Sequence, residues 1–238
     1  VKSLVVLLFA LISTGASAAN ESAALIAKFE ADLKAVDAAI AGGKTTIDQY
    51  SKRGDLRFFL GQFAEAVQDY EKMTTLDKTL ADTHWRLGIA YYFSGEFAKS
   101  AELFEKLHKY DDVDRETALW HFLAKAGIDG VGQAQLQMLR YTKPDRDPFD
   151  LIYDLFSGLI KTDEMFRHIQ KRGLFTDQKA MFYARLYAGI FANLNGNHPD
   201  AKKFLSMAEK SEWGKKASGG PGFMAQVARI VNDAVPTN

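Results

Sequence analysis

The chain has 238 residues, with 30 Lys and Arg against 30 Asp and Glu, and no cysteine. Zero net charge argues against a general nucleic-acid binder, whose phosphate contacts need a cationic surplus; the missing thiols exclude disulfides, thiolate metal sites and cysteine nucleophiles together. A hydrophobic share of 47% beside 25% charged residues is ordinary globular usage and excludes a disordered or collagen-like chain.

Residues 1–18 read as a leader. Lys2 is its single charge, Leu4 to Ile12 is an unbroken apolar run, and Ser13, Thr14 and Gly15 break that run before the small-residue triplet Ala16-Ser17-Ala18. The pattern predicts a secretory signal peptide cut after Ala18 and a periplasmic or secreted mature chain. The apolar run is too short to cross a hydrocarbon core, which needs about 20 residues. No later segment is apolar enough, so the mature chain is expected to carry no membrane anchor. An alanine-rich helix then runs from Glu21 to Ile40 and stops at Gly42-Gly43, defining an N-terminal helical segment over residues 19–44.

Two stretches after it superimpose without a gap. Gly54, Gly61, Phe63, Ala66 and Tyr70 are each followed 34 residues later by Gly88, Gly95, Phe97, Ser100 and Phe104. Each position has a physical reading. A glycine inside a helix costs about 1 kcal/mol relative to alanine, so Gly54 and Gly88 mark places where a second helix packs too closely for a side chain. Gly61 and Gly95 end the first helix of each unit in left-handed geometry. Phe63 and Phe97 open the second helix and plug the turn. Ala66 and Ser100 are the small residues at the crossing, and Tyr70 and Phe104 fill the gap beyond it.

Downstream the pattern decays. Residues 114–127 predict an amphipathic helix and residues 131–140 a short partner, together a degenerate third unit that completes a repeat region over residues 45–140. Tyr141 to Pro148 is a polar loop with two prolines. A helix follows to Ser157 with Pro148 in its first turn, then a short helix capped by Thr162, making residues 141–174 an irregular helical connector. Gly189, Gly196, Ala201, Leu205 and Ala208 repeat the internal spacing once more, with His198 in the plug position. A last helix over residues 223–234 lies beyond the separator Gly219-Gly220-Pro221-Gly222. Residues 175–238 therefore read as a C-terminal hairpin with a capping helix. The expected fold is all-α, a solenoid of helical hairpins with eleven or twelve helices.

The period of 34 with a helix–turn–helix in each unit resembles tetratricopeptide (TPR) repeats. Departures exist: Lys78 and Asp112 stand where a closing proline is usual, and Arg57 stands where the second unit has the aromatic Tyr91. Three further stretches resemble NlpI-type TPR proteins of the bacterial envelope. They are Ala118 to Leu123, Ile152 to Gly158, and Phe182 to Tyr187. That resemblance implies an adaptor role, with envelope proteases or murein enzymes as the implied class of partner. The lipid-bearing cysteine of those lipoproteins is absent here, so a lipid tether does not carry over.

No catalytic constellation emerges, and no metal or cofactor is expected. The five histidines form no HExxH, and no GxSxG elbow occurs. His121 beside Trp120 reads as a structural histidine. Asp145, Asp147 and Asp150 with Arg146 lack the Gly and distal Glu of a calcium loop and read as a solvated loop. The family pattern instead places Ser51, Asp55, Phe58 and Phe59 of the first unit, and Trp85, Ile89, Tyr92 and Phe93 of the second, on a groove. Phe58, Phe59, Trp85, Ile89, Tyr92 and Phe93 would form an aromatic protein-binding surface, since aromatics dominate interface energetics. The Lys and Asn of a carboxylate clamp are missing, as Ser51, Asp55, Trp85 and Ile89 hold those positions. Three alternatives stay open: the helix over residues 21–40 covers these rings, a homodimer forms through the same face, or the chain is a carrier or enzyme with a pocket between the repeats and the C-terminal helices.

Overall fold

In the computed structural model residues 16–236 are described, and they form thirteen α-helices and two short 3-10 turns, with no strand among the described residues. The leader expected at residues 1–18 lies, apart from its last three residues, outside the described residues. The helix beyond the expected eleven or twelve is accounted for by a five-residue element, Glu212–Lys216, too short to leave a periodic signal. No helix among the described residues is long and apolar enough to cross a membrane. Two compact units divide the chain, residues 16–111 and residues 112–236.

The first unit holds α1 (Ala16–Ala41), α2 (Ile47–Phe59), α3 (Phe63–Leu76), α4 (Trp85–Phe93) and α5 (Phe97–Tyr110). The pairs α2/α3 and α4/α5 are the two predicted hairpins. Gly61 and Gly95 turn them with φ of +77° and +82°. Behind each glycine the chain folds back, the N–H of Gln62 reaching the carbonyl of Arg57 and that of Glu96 the carbonyl of Tyr91, both at 2.8 Å. These bonds satisfy carbonyls that a helix end would leave bare. A Cβ on Gly54 would lie 2.5 Å from the Tyr70 ring, and one on Gly88 would lie 2.8 Å from the Phe104 ring. The close approach inferred from the sequence is therefore the contact that sets both hairpins.

The helix α1 extends this repeat. Phe29 packs on Phe59 with ring centroids 5.3 Å apart, and Phe63 packs on Phe93 at 5.0 Å. Both members of the first pair stand 34 residues before their counterparts. Likewise Val36 and Asp37 precede Tyr70 and Glu71 by one period. α1 thus packs as the second helix of a hairpin ahead of α2. The sequence carried that signal in the series Phe29, Phe63, Phe97, which the reading by glycines alone passes over, because Asn20 and Ala27 stand one period before Gly54 and Gly61.

The second unit holds α6 (Arg115–Asp129), α7 (Val131–Leu136), α8 (Phe149–Phe156), α9 (Thr162–Lys171), α10 (Gln178–Leu194), α11 (His198–Glu209), α12 (Glu212–Lys216) and α13 (Gly219–Ala234). The expected late hairpin is α10/α11. Gly196 turns it at φ +75°, and a Cβ on Gly189 would meet Leu205 Cγ at 2.5 Å. α13 packs on α11 and α12, as a capping helix should. It starts at Gly219, so the glycine–proline stretch expected as a separator is its first turns, where Pro221 needs no N–H partner. Thr162 is the first residue of α9, not its cap; Lys161 holds the cap position, without a side-chain bond. Phe122, Phe149, Phe156, Phe182 and Tyr187 are fully buried in this unit, each worth roughly 1.5–3 kcal/mol of transfer free energy.

Candidate functional site

α2 and α4 lie side by side. Arg86 on α4 reaches Asp55 on α2 at 2.9 Å, and Phe58 meets Phe93 edge-on at 5.2 Å. The residues expected on the groove divide here into two sets. Phe58 and Ile89 are 0% and 1% exposed, so they are core and offer nothing to a partner. The reason is local: Phe58 plugs the junction of α2, α3 and α4 between the rings of Phe63 and Phe93. Phe59, Trp85, Tyr92 and Phe93 are half-buried. Phe59 carries the Phe29 ring of α1 on one side, so the covering helix considered above does reach this ring. Trp85 opens α4, with the Arg86 guanidinium 5.2 Å from its ring centre. On α2, Asp48, Ser51, Lys52, Asp55, Leu56 and Phe59 line an open depression along one stripe of the helix.

Ring contacts recur at the repeat period. Phe58 touches Phe59 and Phe63; Tyr92 touches Phe93 and Phe97. Burial pushes the Tyr92 phenol up to about 12, so it stays neutral over the working pH range.

A polar framework that the sequence reading did not find holds this face. Asp55 accepts the Tyr70 hydroxyl at 2.7 Å and the Arg86 guanidinium at 2.9 and 3.2 Å. Burial raises its pKa, opposed by Arg86 and by the Tyr70 bond. Beneath it, Asp69 is 1% exposed and takes bonds from Arg53 and Arg57, down to 2.6 Å and 2.8 Å. Arg53 also holds Asp37 of α1 at 3.1 Å. One period later the same positions read Leu87, Tyr91, Leu103 and Glu71 for Arg53, Arg57, Asp69 and Asp37. Tyr91 donates to Glu71 at 2.8 Å. The ionic cluster of the first hairpin is therefore an apolar cluster with one phenol–carboxylate bond in the second. Arg57, the departure noted at an aromatic position, is part of a coordinated replacement.

His84 caps α4, its Nδ1 accepting the N–H of Leu87 at 3.0 Å while its ring packs tilted against Tyr70 with centroids 4.9 Å apart. Burial foremost, and then the charge of Arg86, lower its pKa to about 4. The tautomer is fixed by the cap: the proton sits on Nε2.

Residues 54–95 match a TPR repeat family model. The match runs from the close-approach glycine of the first hairpin to the turn glycine of the second, so it takes in all of α4 and the second half of α2, and leaves out Asp48, Ser51 and Lys52. Proteins with TPR repeats generally serve as protein–protein interaction scaffolds, not as enzymes. No curated protein matches the chain.

Elsewhere, no group of three or more His, Asp or Glu positioned to hold a metal ion occurs among the described residues. The loop expected to be solvated is so only in part, since Asp147 and Asp150 are 51% and 42% exposed. Arg172 holds Asp147 and Asp150 at 3.0 and 2.6 Å, and the Asp145 side chain is 4% exposed. His121 is buried at the centre of α6.

Proposed function

We propose that this chain is an exported scaffold of the cell envelope that binds client proteins on the α2/α4 face. The observation that carries the reading is a TPR-type pair of hairpins whose first helices keep Phe59, Trp85, Tyr92 and Phe93 partly exposed. Such a surface suits an amphipathic helix or extended segment that supplies apolar anchors. Asp55 and Arg86, already paired, act as a fixed polar border beside Trp85. Lacking the Lys and Asn of a carboxylate clamp, the face is suited to an internal segment of a client over a free C-terminus. Export is supported by the apolar run from Leu4 to Ile12 and the small residues after it. Resemblance to NlpI-type proteins points to envelope proteases or murein enzymes as clients.

The test compares envelope proteins retained by the native chain with those retained by Trp85→Ala/Tyr92→Ala, after checking that both melt alike. Loss of a defined subset is expected; identical sets would reject the face. Export is checked apart from this, by N-terminal sequencing of the mature protein, which should begin at Ala19.

A further inference from the structure

Two sides of α11 are occupied within the second unit. Ala201, Leu205 and Ala208 are buried, with Leu205 against the close-approach glycine of α10. On another side, Lys202 donates to the Asn232 carbonyl of α13 at 2.7 Å, and Glu209 accepts the Asn232 amide at 2.5 Å. The remaining side carries Lys203, Met207 and Lys210, spaced i, i+4 and i+7 so that they fall on one stripe. All three are exposed, Met207 to 42%. Phe204, three residues before Met207, borders the stripe and is half-buried. Its ring stacks on the half-buried Phe166 of α9, with centroids 5.2 Å apart and planes 23° from parallel. The Lys203 ammonium lies 5.3 Å from the centre of the Phe204 ring.

The charge of this surface is one-sided. Neither Lys203 nor Lys210 makes an ion pair among the described residues. The carboxylates of the region are placed elsewhere. Asp163 meets Arg167 at 3.2 Å, and Glu164, two residues before Phe166, stands on the far side of α9 from it. Asp200 occupies the first turn of α11, where the helix dipole favours it, and accepts the Asn197 amide at 2.8 Å. From Lys203 to Lys210 the stripe is therefore cationic around an apolar centre.

We propose that this stripe is a second docking surface, separate from the α2/α4 face, and that it receives an amphipathic helix of a partner protein bearing acidic residues. The occupant follows from charge and spacing. Lys203 and Lys210 are two turns apart, about 10.5 Å along the axis. A helix laid along α11 meets both with carboxylates seven residues apart. The turn between them then sets an apolar side chain on Met207 and the stacked rings. A thioether adapts its shape to that side chain, and the rings supply a rigid platform. A second copy docked stripe to stripe would set lysine against lysine. An anionic membrane is a poorer match, since its recognition uses clusters of about 4–8 basic residues and this stripe has two lysines.

The experiment measures fluorescence anisotropy of two labelled helical peptides on the full chain. Both are alanine-based, about 20 residues long, with one leucine per heptad. One carries Glu on either side of each leucine and the other carries Lys. The native chain should bind the acidic peptide at least about tenfold more tightly than the basic one, and added salt should weaken it. Lys203→Glu/Lys210→Glu should reverse the preference, and Met207→Asp should weaken the acidic peptide by about tenfold. These three residues are exposed, so the variants should melt like the native chain. Trp85→Ala/Tyr92→Ala should bind the acidic peptide as the native chain does; loss there would move the site to the α2/α4 face and overturn the proposal. Equal binding of both peptides, binding of neither, or a preference that survives the lysine reversal would also overturn it. Phosphatidylglycerol vesicles that bind through the two lysines, with no binding of the acidic peptide, would assign the stripe to a membrane instead.

Discussion

Asp69→Leu removes the centre of the first hairpin's ionic cluster and lets its energetics be measured. The native carboxylate is 1% exposed and receives N–H bonds from Arg53 and Arg57 at 2.6–3.0 Å. Without it, two guanidiniums of 16% and 18% exposure lose their shared counter-charge. Removing one partner of a buried ion pair costs about 3–5 kcal/mol. Partial water access and the remaining Asp37 bond place this site at the low end, about 3 kcal/mol. For a unit of this size that lowers the melting temperature by roughly 12–24 °C. The triple variant Arg53→Leu/Arg57→Tyr/Asp69→Leu writes the second hairpin's own residues into the first. Its new phenol would face Asp37 as Tyr91 faces Glu71. Apolar replacement of a whole buried ion cluster is commonly neutral or stabilising, so the triple variant should recover to within about 1 kcal/mol of the native protein or exceed it. Urea unfolding read by hydrogen exchange in α3 isolates this unit from the other. A single variant costing under about 1 kcal/mol would show that Asp69 is not the keystone of the cluster. A triple variant as unstable as the single one would refute the equivalence of the two hairpins.

The close-approach glycines give a second set of outcomes. Gly54→Ala, Gly88→Ala and Gly189→Ala should each destabilise by about 1–3 kcal/mol through overpacking, despite alanine's better helix propensity. Gly132→Ala on α7, where a Cβ meets nothing within 4 Å, should instead stabilise by up to about 1 kcal/mol. Thermal melts of the four variants check this, and a uniform sign would contradict the packing. His84 makes the first unit acid-sensitive. Its Nδ1 cannot hold both a proton and the Leu87 N–H, and its pKa is lowered to about 4. A lowered histidine contributes stability that is complete above its unfolded value and is lost as pH falls toward 4. The loss comes to about 3 kcal/mol between pH 7 and 4. His84→Asn keeps a capping oxygen and should flatten that slope in the exchange of α4 amides; an unchanged slope would remove His84 as its cause.

The amino-acid sequence alone determined the helical class and the register of the hairpins. Glycine spacing is readable because it reports two local constraints, left-handed turns at Gly61, Gly95 and Gly196 and missing side chains at Gly54, Gly88 and Gly189. Trp85 and Tyr92, assigned to the groove from position within the period, keep part of their surface outside the core. Tertiary packing decided the rest. It withdrew Phe58 and Ile89 into the core, because a ring at a junction of three helices meets neighbours that no single helix face reveals. It recruited α1 into the repeat through Phe29 and Asp37, residues whose partners lie on another helix. It fastened an apparently solvated acidic loop, because Arg172 reaches Asp147 and Asp150, and Arg146 reaches Asp114 and Glu116, only when α9 and α6 have packed beside it. Local spacing records what one turn of chain must do, whereas burial and charge pairing depend on which distant segments meet.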